Sequence, residues 1–399
     1  GNKRLAAGSA DGSIRLLSNT DGGEIARMIR FDNDEWITIT PEGYFVASQD
    51  GDRWVNVRMD DKVYGIDQFY DVFYRPDIVE RRLADQPIAQ LITVTLQDAL
   101  KQPPPLVTLG LTEGPSVVGQ KVKLDFRADT QGGGVGELRV LHNGKLLEVF
   151  NRAVIRSGVA NRPLERTAPG PEITAQRQSP ARAEQAVTRA LRLAAQSKQD
   201  SVSAPKVLQQ LDGQVEVELA AGENVLSVVG FNSTGNLNAR PVTRRVMASG
   251  TAATPRVFIL AVGIDIFKNA NLAPTLANGV KDSTDVANAF RERLGATYKD
   301  SPVIVRTLQN LQATRAGLDA ALADLQREVR SNDLLVWFVA SHGTLDYNAT
   351  YGIVLQDWDG KEREGSLFST NDILEASRRI KAFNQIVILD TCHAGDRKS

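Results

Sequence analysis

Cysteine is nearly missing from this sequence. Cys392 is the only one in 399 residues, so no disulfide can form within the chain, and such sparing use fits a reducing, cytoplasmic setting. Histidine occurs only as His142, His342 and His393. There is no excess of charge of either sign: 47 Lys and Arg stand against 48 Asp and Glu, a net charge of -1. That balance gives no global attraction to nucleic acid or to a membrane surface, and neither is expected as a partner. Long apolar runs are lacking too. None reaches the length of a membrane span, and no signal peptide is visible. The remaining composition, 42% hydrophobic and 24% charged, is that of an ordinary soluble globular protein. The length predicts about two to four domains. The chain opens at Gly1 in mid-pattern and reads as a fragment.

Residues 1–102 read as short strands with turn signals. Gly8 to Arg15 is echoed by Ala47 to Trp54, and each copy carries an Asp-Gly hairpin pair, Asp11-Gly12 and Asp50-Gly51. The copies lie about 40 positions apart, one propeller-blade repeat. The region resembles the tryptophan-aspartate repeat family, although neither unit closes on a Trp-Asp dipeptide. The resemblance implies partial propeller blades, with earlier blades missing, that would bind a protein partner or act as a sensor. Tyr64, Phe69, Tyr70, Phe73 and Tyr74 then form a stripe expected to be core or docking surface. Pro103-Pro104-Pro105 is a stiff boundary.

Residues 103–250 alternate at period two: Val107-Leu109-Leu111, Val122-Leu124-Phe126, Val215-Val217-Leu219, Val225-Ser227-Val229 and Val242-Arg244-Val246. Asn143-Gly144 between Leu138-Val140 and Leu146-Val149 is a strong hairpin signal, and His142 beside it reads as surface. About seven strands in this order suggest an immunoglobulin-like sandwich without a disulfide. An insertion at 151–212 is rich in arginine and proline. It is expected to be a solvated basic loop, with a helix over Ala181 to Gln196, or an exposed proteolysis site.

From 254 onward strands and helices alternate, which predicts a mostly parallel sheet covered on both faces. Strands are expected at Val257–Val262, Pro302–Val305, Leu334–Ala340, Tyr351–Leu355 and Ile386–Leu389. Helices are expected at Asp282–Leu294, Thr314–Arg330 and Thr370–Ile380. Ligands and chemistry gather at the carboxyl ends of such strands. One strand runs into Ser341-His342-Gly343 and another into Asp390-Thr391-Cys392-His393-Ala394-Gly395. A thiol and an imidazole at one sheet edge are the minimum apparatus for nucleophilic cysteine catalysis.

These two motifs, with Leu260-Ala261-Val262-Gly263-Ile264 and the following Leu276 and Asp282, resemble the caspase and metacaspase superfamily over residues 255–399. The overall expectation is therefore a multidomain chain: an all-β N-terminal part followed by an α/β caspase-like domain. The resemblance implies a cysteine endopeptidase with Cys392 as nucleophile and His342 as its partner. Cys392 and Gly343 would offer backbone N–H groups to the oxyanion. His393 is a rival base that the family does not use. Caspases hold glutamine two residues before the cysteine; Asp390 and Asp282 instead match the acidic pocket of metacaspases, which implies cleavage of protein or peptide substrates after Arg or Lys. The alternatives are that Asp390 caps local backbone and Asp282 a helix, that the preference is for Asp, or that the domain is an inactive scaffold. No cofactor is expected: some metacaspases need calcium, but Asp346, Asp357 and Asp359 lack calcium-loop spacing. The sheet of the family continues beyond the cysteine, so the chain reads as a large-subunit part whose partner is the small-subunit part of the same precursor. Arg397 and Lys398 would suit self-cleavage.

Overall fold

A computed structural model describes residues 4–32, 34–59, 61–112, 116–151, 207–271, 273–345, 351–359 and 367–391. Most of the arginine-rich insertion, with its expected helix, lies outside the described residues. The protein has a large β-rich N-terminal part and a C-terminal α/β region built on a parallel sheet.

The chain begins with a five-stranded antiparallel meander, β1 (Arg4–Gly8), β2 (Ser13–Ser18), β3 (Glu24–Arg30), β4 (Trp36–Ile39) and β5 (Phe45–Ala47). Asp11-Gly12 does join β1 to β2, and Gly12 takes a positive φ of 79°. Asp50-Gly51 is not a hairpin turn, contrary to expectation. Gly51 opens a 3-10 turn, Gly51–Trp54, where any Cβ would lie 2.1 Å from the Trp36 carbonyl oxygen. Sequence echo and structure therefore part company at the second copy. A hairpin of β6 (Asn56–Met59) and β7 (Lys62–Gly65) follows, then helices α1 (Tyr70–Phe73), α2 (Pro76–Leu83) and α3 (Leu96–Leu100). The aromatic stripe is core: Phe69 and Phe73 are fully buried, and Tyr64 and Tyr70 nearly so.

Seven strands come next: β8 (Leu106–Leu111), β9 (Lys121–Asp129), β10 (Leu138–His142), β11 (Lys145–Phe150), β12 (Gln210–Glu218), β13 (Gly222–Gly230) and β14 (Val242–Ala248). They form one sheet ordered β11-β10-β13-β14 and a second ordered β12-β9-β8, and both sheets feed one apolar core. In β9 the inward residues Val122, Leu124, Phe126 and Ala128 alternate with exposed ones, the signature of a sheet wet on one face. Asn143 and Gly144 both have positive φ, 49° and 80°, as a two-residue hairpin turn requires. β12 starts at Gln210, so the insertion ends earlier than the expected residue 212.

His142 is not on the surface. It is 3% exposed, and its Nε2 lies 2.7 Å from Asn224 Oδ1. The residue beside a hairpin turn is buried here because Phe383, from the α/β region, packs edge-on against the imidazole at 4.7 Å.

The C-terminal region comprises β15 (Val257–Gly263), α4 (Gly279–Thr297), β16 (Val303–Gln309), α5 (Arg315–Glu328), β17 (Leu334–Ser341), β18 (Gly343–Leu345), β19 (Tyr351–Ile353), β20 (Phe368–Ser369), α6 (Thr370–Arg379) and β21 (Asn384–Thr391). The main sheet is wholly parallel, ordered β16-β15-β17-β21. β15 is buried along its whole length, as expected for a parallel strand covered on both faces. One face packs Phe258, Leu260, Val262, Trp337 and Val339 against α5 and α6. The other packs Ile259, Ala261, Val336 and Ile388 against Ala287, Phe290 and Leu294 of α4. Thr314 caps α5, and Ser369 caps α6 in a reciprocal box with Asp372. At the amino edge, buried Asp333 accepts the N–H groups of Arg256 and Arg330, each at 2.8 Å, and pairs with the Arg256 guanidinium at 2.7 Å.

Candidate functional site

The carboxyl edge of the parallel sheet gathers the predicted groups that are described. Register fixes their lateral order. Gly263 lies beside Ala340, Ala340 beside Asp390, and Ser341 beside Thr391. The next residues along β17 and β21 in sequence are His342 and Cys392. Cys392 and the rival His393 lie outside the described residues, as do Asp346, Arg397 and Lys398.

His342 stands at the tip of β17, half-buried. Its Nε2 is 2.7 Å from the Pro274 carbonyl oxygen, and the Phe267 ring lies 5.0 Å from the imidazole. A carbonyl can only accept, so Nε2 carries the hydrogen. In the neutral ring Nδ1 is then the bare, basic nitrogen. Beneath it, Ser341 Oγ donates to the Val354 carbonyl at 2.6 Å, which ties the strand tip to the small β18–β19–β20 sheet.

Gly343 opens β18 opposite Ile353. The Val354 N–H donates to the His342 carbonyl at 2.9 Å. In an antiparallel ladder that makes Gly343 and Ile353 a non-hydrogen-bonded pair, so the Gly343 N–H is directed away from β19. A donor next to His342 in the chain is thus left unused by the β18–β19 ladder.

Asp390 is exposed near the end of β21. Ile388 packs on the α4 side of the sheet, and side chains alternate along a strand, so Asp390 faces that side too. Asp282 is half-buried in the first turn of α4. That turn sits tightly on Gly263, where a Cβ would lie 2.3 Å from Ser283 Oγ. Thr284 takes a hydrogen bond from Gln309 at the tip of β16. Asp282, a helical step to the other side of Ser283, is therefore turned toward β17 and β21. Neither carboxylate has a hydrogen-bond or ion-pair partner among the described residues. The helix-cap role expected as the alternative for Asp282 belongs to Asp265, whose Oδ1 accepts the Val280 N–H at 3.2 Å. Asp357 is likewise a cap, accepting the Arg315 N–H at 3.0 Å. Among the described residues no three of His, Cys, Asp and Glu gather as metal donors.

Several contributors escaped sequence reasoning. The Pro274 carbonyl has no side-chain signature. Tyr351 was legible only as a strand residue, yet its hydroxyl bonds Thr391, the residue before Cys392. Asp265 and Asn310 looked like ordinary loop residues.

No family model matches this sequence, and no curated protein does. Solved structures that share some likeness are a protein from Geobacter sulfurreducens (18% identity, 36% of this chain and 52% of that one, TM-score 0.29), fibronectin(III)-like modules from Clostridium thermocellum (10%, 59% and 62%, 0.19), and a chitinase from Paenibacillus (13%, 59% and 20%, 0.16). The chain spans less than two thirds of the length of each of these. Scores this low carry no weight for fold or activity.

Proposed function

We propose that this chain carries the catalytic half of a caspase-like cysteine endopeptidase that cleaves after Arg or Lys. The observation that carries this reading is the parallel register of β17 and β21, which sets Thr391 beside Ser341; the residues that follow are Cys392 and His342. Neighbouring strands run about 4.8 Å apart, within reach of a thiol and an imidazole.

The chemistry follows from the groups at hand. His342 Nδ1 takes the proton of the Cys392 thiol, and the thiolate forms a C–S bond to the scissile carbonyl carbon. The carbonyl π pair moves to oxygen, where the outward Gly343 N–H and the Cys392 N–H stabilise it. Collapse breaks the C–N bond, and the imidazolium returns its proton to the leaving amine. Water then hydrolyses the thioester. Asp282 and Asp390, on one side of the sheet and without protein partners among the described residues, suit a substrate cation.

The finer architecture belongs to the same proposal. The seven-stranded unit is read as immunoglobulin-like and the first meander as a partial propeller, both serving protein partners. The outer edge of β21 has no partner strand among the described residues, and Ile386 and Val387 on it are 44% and 37% exposed. We assign that edge to added strands from the small-subunit part of the same precursor.

The test is cleavage of a peptide library together with active-site labelling. Parent protein should cut after Arg and Lys, and Cys392→Ala and His342→Gln should abolish it. Labelling of Cys392 no faster than a free cysteine peptide, and unchanged by His342→Gln, would leave the inactive scaffold as the correct reading. Cleavage after Asp would overturn the acidic pocket.

A further inference from the structure

Both ends of the segment between β15 and α4 converge on Asp265. Its carbonyl accepts the Leu276 N–H at 2.9 Å, and its carboxylate accepts the Val280 N–H at 3.2 Å. Two residues before Leu276 lies Pro274, whose carbonyl holds His342 Nε2. Asp265 thus sets both the start of the helix that carries Asp282 and the carbonyl that orients the imidazole.

Asp265 is held by a side chain from the neighbouring strand tip. Asn310 follows the last register pair of β16 and β15, Gln309 beside Gly263. Its Oδ1 accepts the N–H of Asp265 at 2.8 Å and that of Ile266 at 3.1 Å. To do so Asn310 adopts a φ of +44°, a conformation that asparagine, aspartate and glycine tolerate and most residues do not. Two other described bonds tie this segment to the site's surroundings, from the Ile264 N–H to the Ala340 carbonyl at 3.1 Å and from the Lys268 N–H to the Gln356 carbonyl at 2.9 Å. Neither engages Asp265 itself.

We infer that Asn310 is a positioning residue for the site: by bridging the Asp265 and Ile266 amides it fixes the Pro274 carbonyl that selects the His342 tautomer. The inference rests on the peptidase reading, in which that tautomer matters. Ile266 is 57% exposed, so water can replace the acceptor at its amide when Asn310 is changed. The loss is then one of position more than of folding.

Three variants separate the possibilities. Asn310→Gly keeps the backbone conformation and removes the acceptor. Asn310→Asp keeps both. Asn310→Ala removes both. The first readout is the ¹⁵N chemical shifts of the His342 imidazole, assigned with His342→Gln, which report the tautomer whether or not the protein cleaves peptides. The second is the pH profile of Cys392 alkylation by iodoacetamide. The third is kcat and KM on a basic peptide.

Expected for Asn310→Gly are loss of the Nε2–H tautomer signature, a displaced alkylation profile and a kcat reduced roughly ten- to a hundredfold at little-changed KM. Asn310→Asp should restore all three. An unaltered imidazole signature in a folded Asn310→Gly protein overturns the positioning role. So does equal damage in Asn310→Gly and Asn310→Asp. Failure of the peptidase reading looks different: His342→Gln would leave Cys392 alkylation of the parent unchanged.

Discussion

Lys145, at the start of β11, donates from its amino group to the Ala382 carbonyl at 3.1 Å and also to that of Ile380. The contact joins the β-rich part to the end of α6, where unsatisfied carbonyls favour a donor. Nearby, Arg378 pairs with Glu148 at 3.0 Å and Lys381 with Glu218 at 2.8 Å. Burial, helped by Arg378, pushes the Lys145 ammonium down to about 7. An undocked lysine keeps its proton to a much higher pH. Between those two values the unfolded chain holds a proton that the folded one does not, so stability should climb as pH rises above about 7. The slope should approach about 1.4 kcal/mol per pH unit. Lys145→Met should flatten it. Urea titrations at a series of pH values measure this.

His142 gives the complementary limb. Burial lowers its pKa to about 4, so the folded state favours the neutral ring. Stability should be unaffected by this group above its unfolded pKa near 6.5. It should fall by about 3 kcal/mol as pH drops from there to about 4. His142→Gln, which can still donate to Asn224, should remove that fall.

Asp333 anchors the opposite edge of the sheet from the site. Asp333→Ala would take its counter-ion from the Arg256 guanidinium, which keeps the Glu328 carbonyl, and the acceptor from two backbone N–H groups, at a cost of about 3–5 kcal/mol. Calorimetry should show the lowered Tm. The Cys392 labelling rate of the folded fraction should match that of the parent.

Asp390→Ala and Asp282→Ala should each lower kcat/KM for Arg and Lys peptides roughly ten- to a hundredfold, the worth of one charge-assisted hydrogen bond. An uncharged substrate should be little affected. Equal cleavage of basic substrates by Asp390→Ala and parent would remove that carboxylate from the pocket.

What the sequence revealed was set by local patterns. Continuous β-branched and aliphatic runs marked β15, β17 and β21. Alternation marked β9, and Asn143-Gly144 marked the turn between β10 and β11. The Asp50-Gly51 pair misled because turn residues also suit 3-10 turns, and contact with the Trp36 carbonyl decided between them. His142 misled because a residue 241 positions away in sequence, Phe383, covers it. The direction of the Gly343 N–H depended on long-range strand pairing, and the role of Pro274 on a main-chain oxygen. Neither has a residue-type signal.

β21 has a consequence for how the two halves of the molecule communicate. Its amino end follows Ala382 and Phe383, which touch the β11 hairpin, and its carboxyl end is Thr391 beside Ser341. Eight residues of extended chain make a stiff rod of about 26 Å between those ends, paired along one edge with β17 and with no other strand among the described residues. A tug applied where the β11 hairpin grips would be carried, with no loop between, to Thr391, the residue before Cys392.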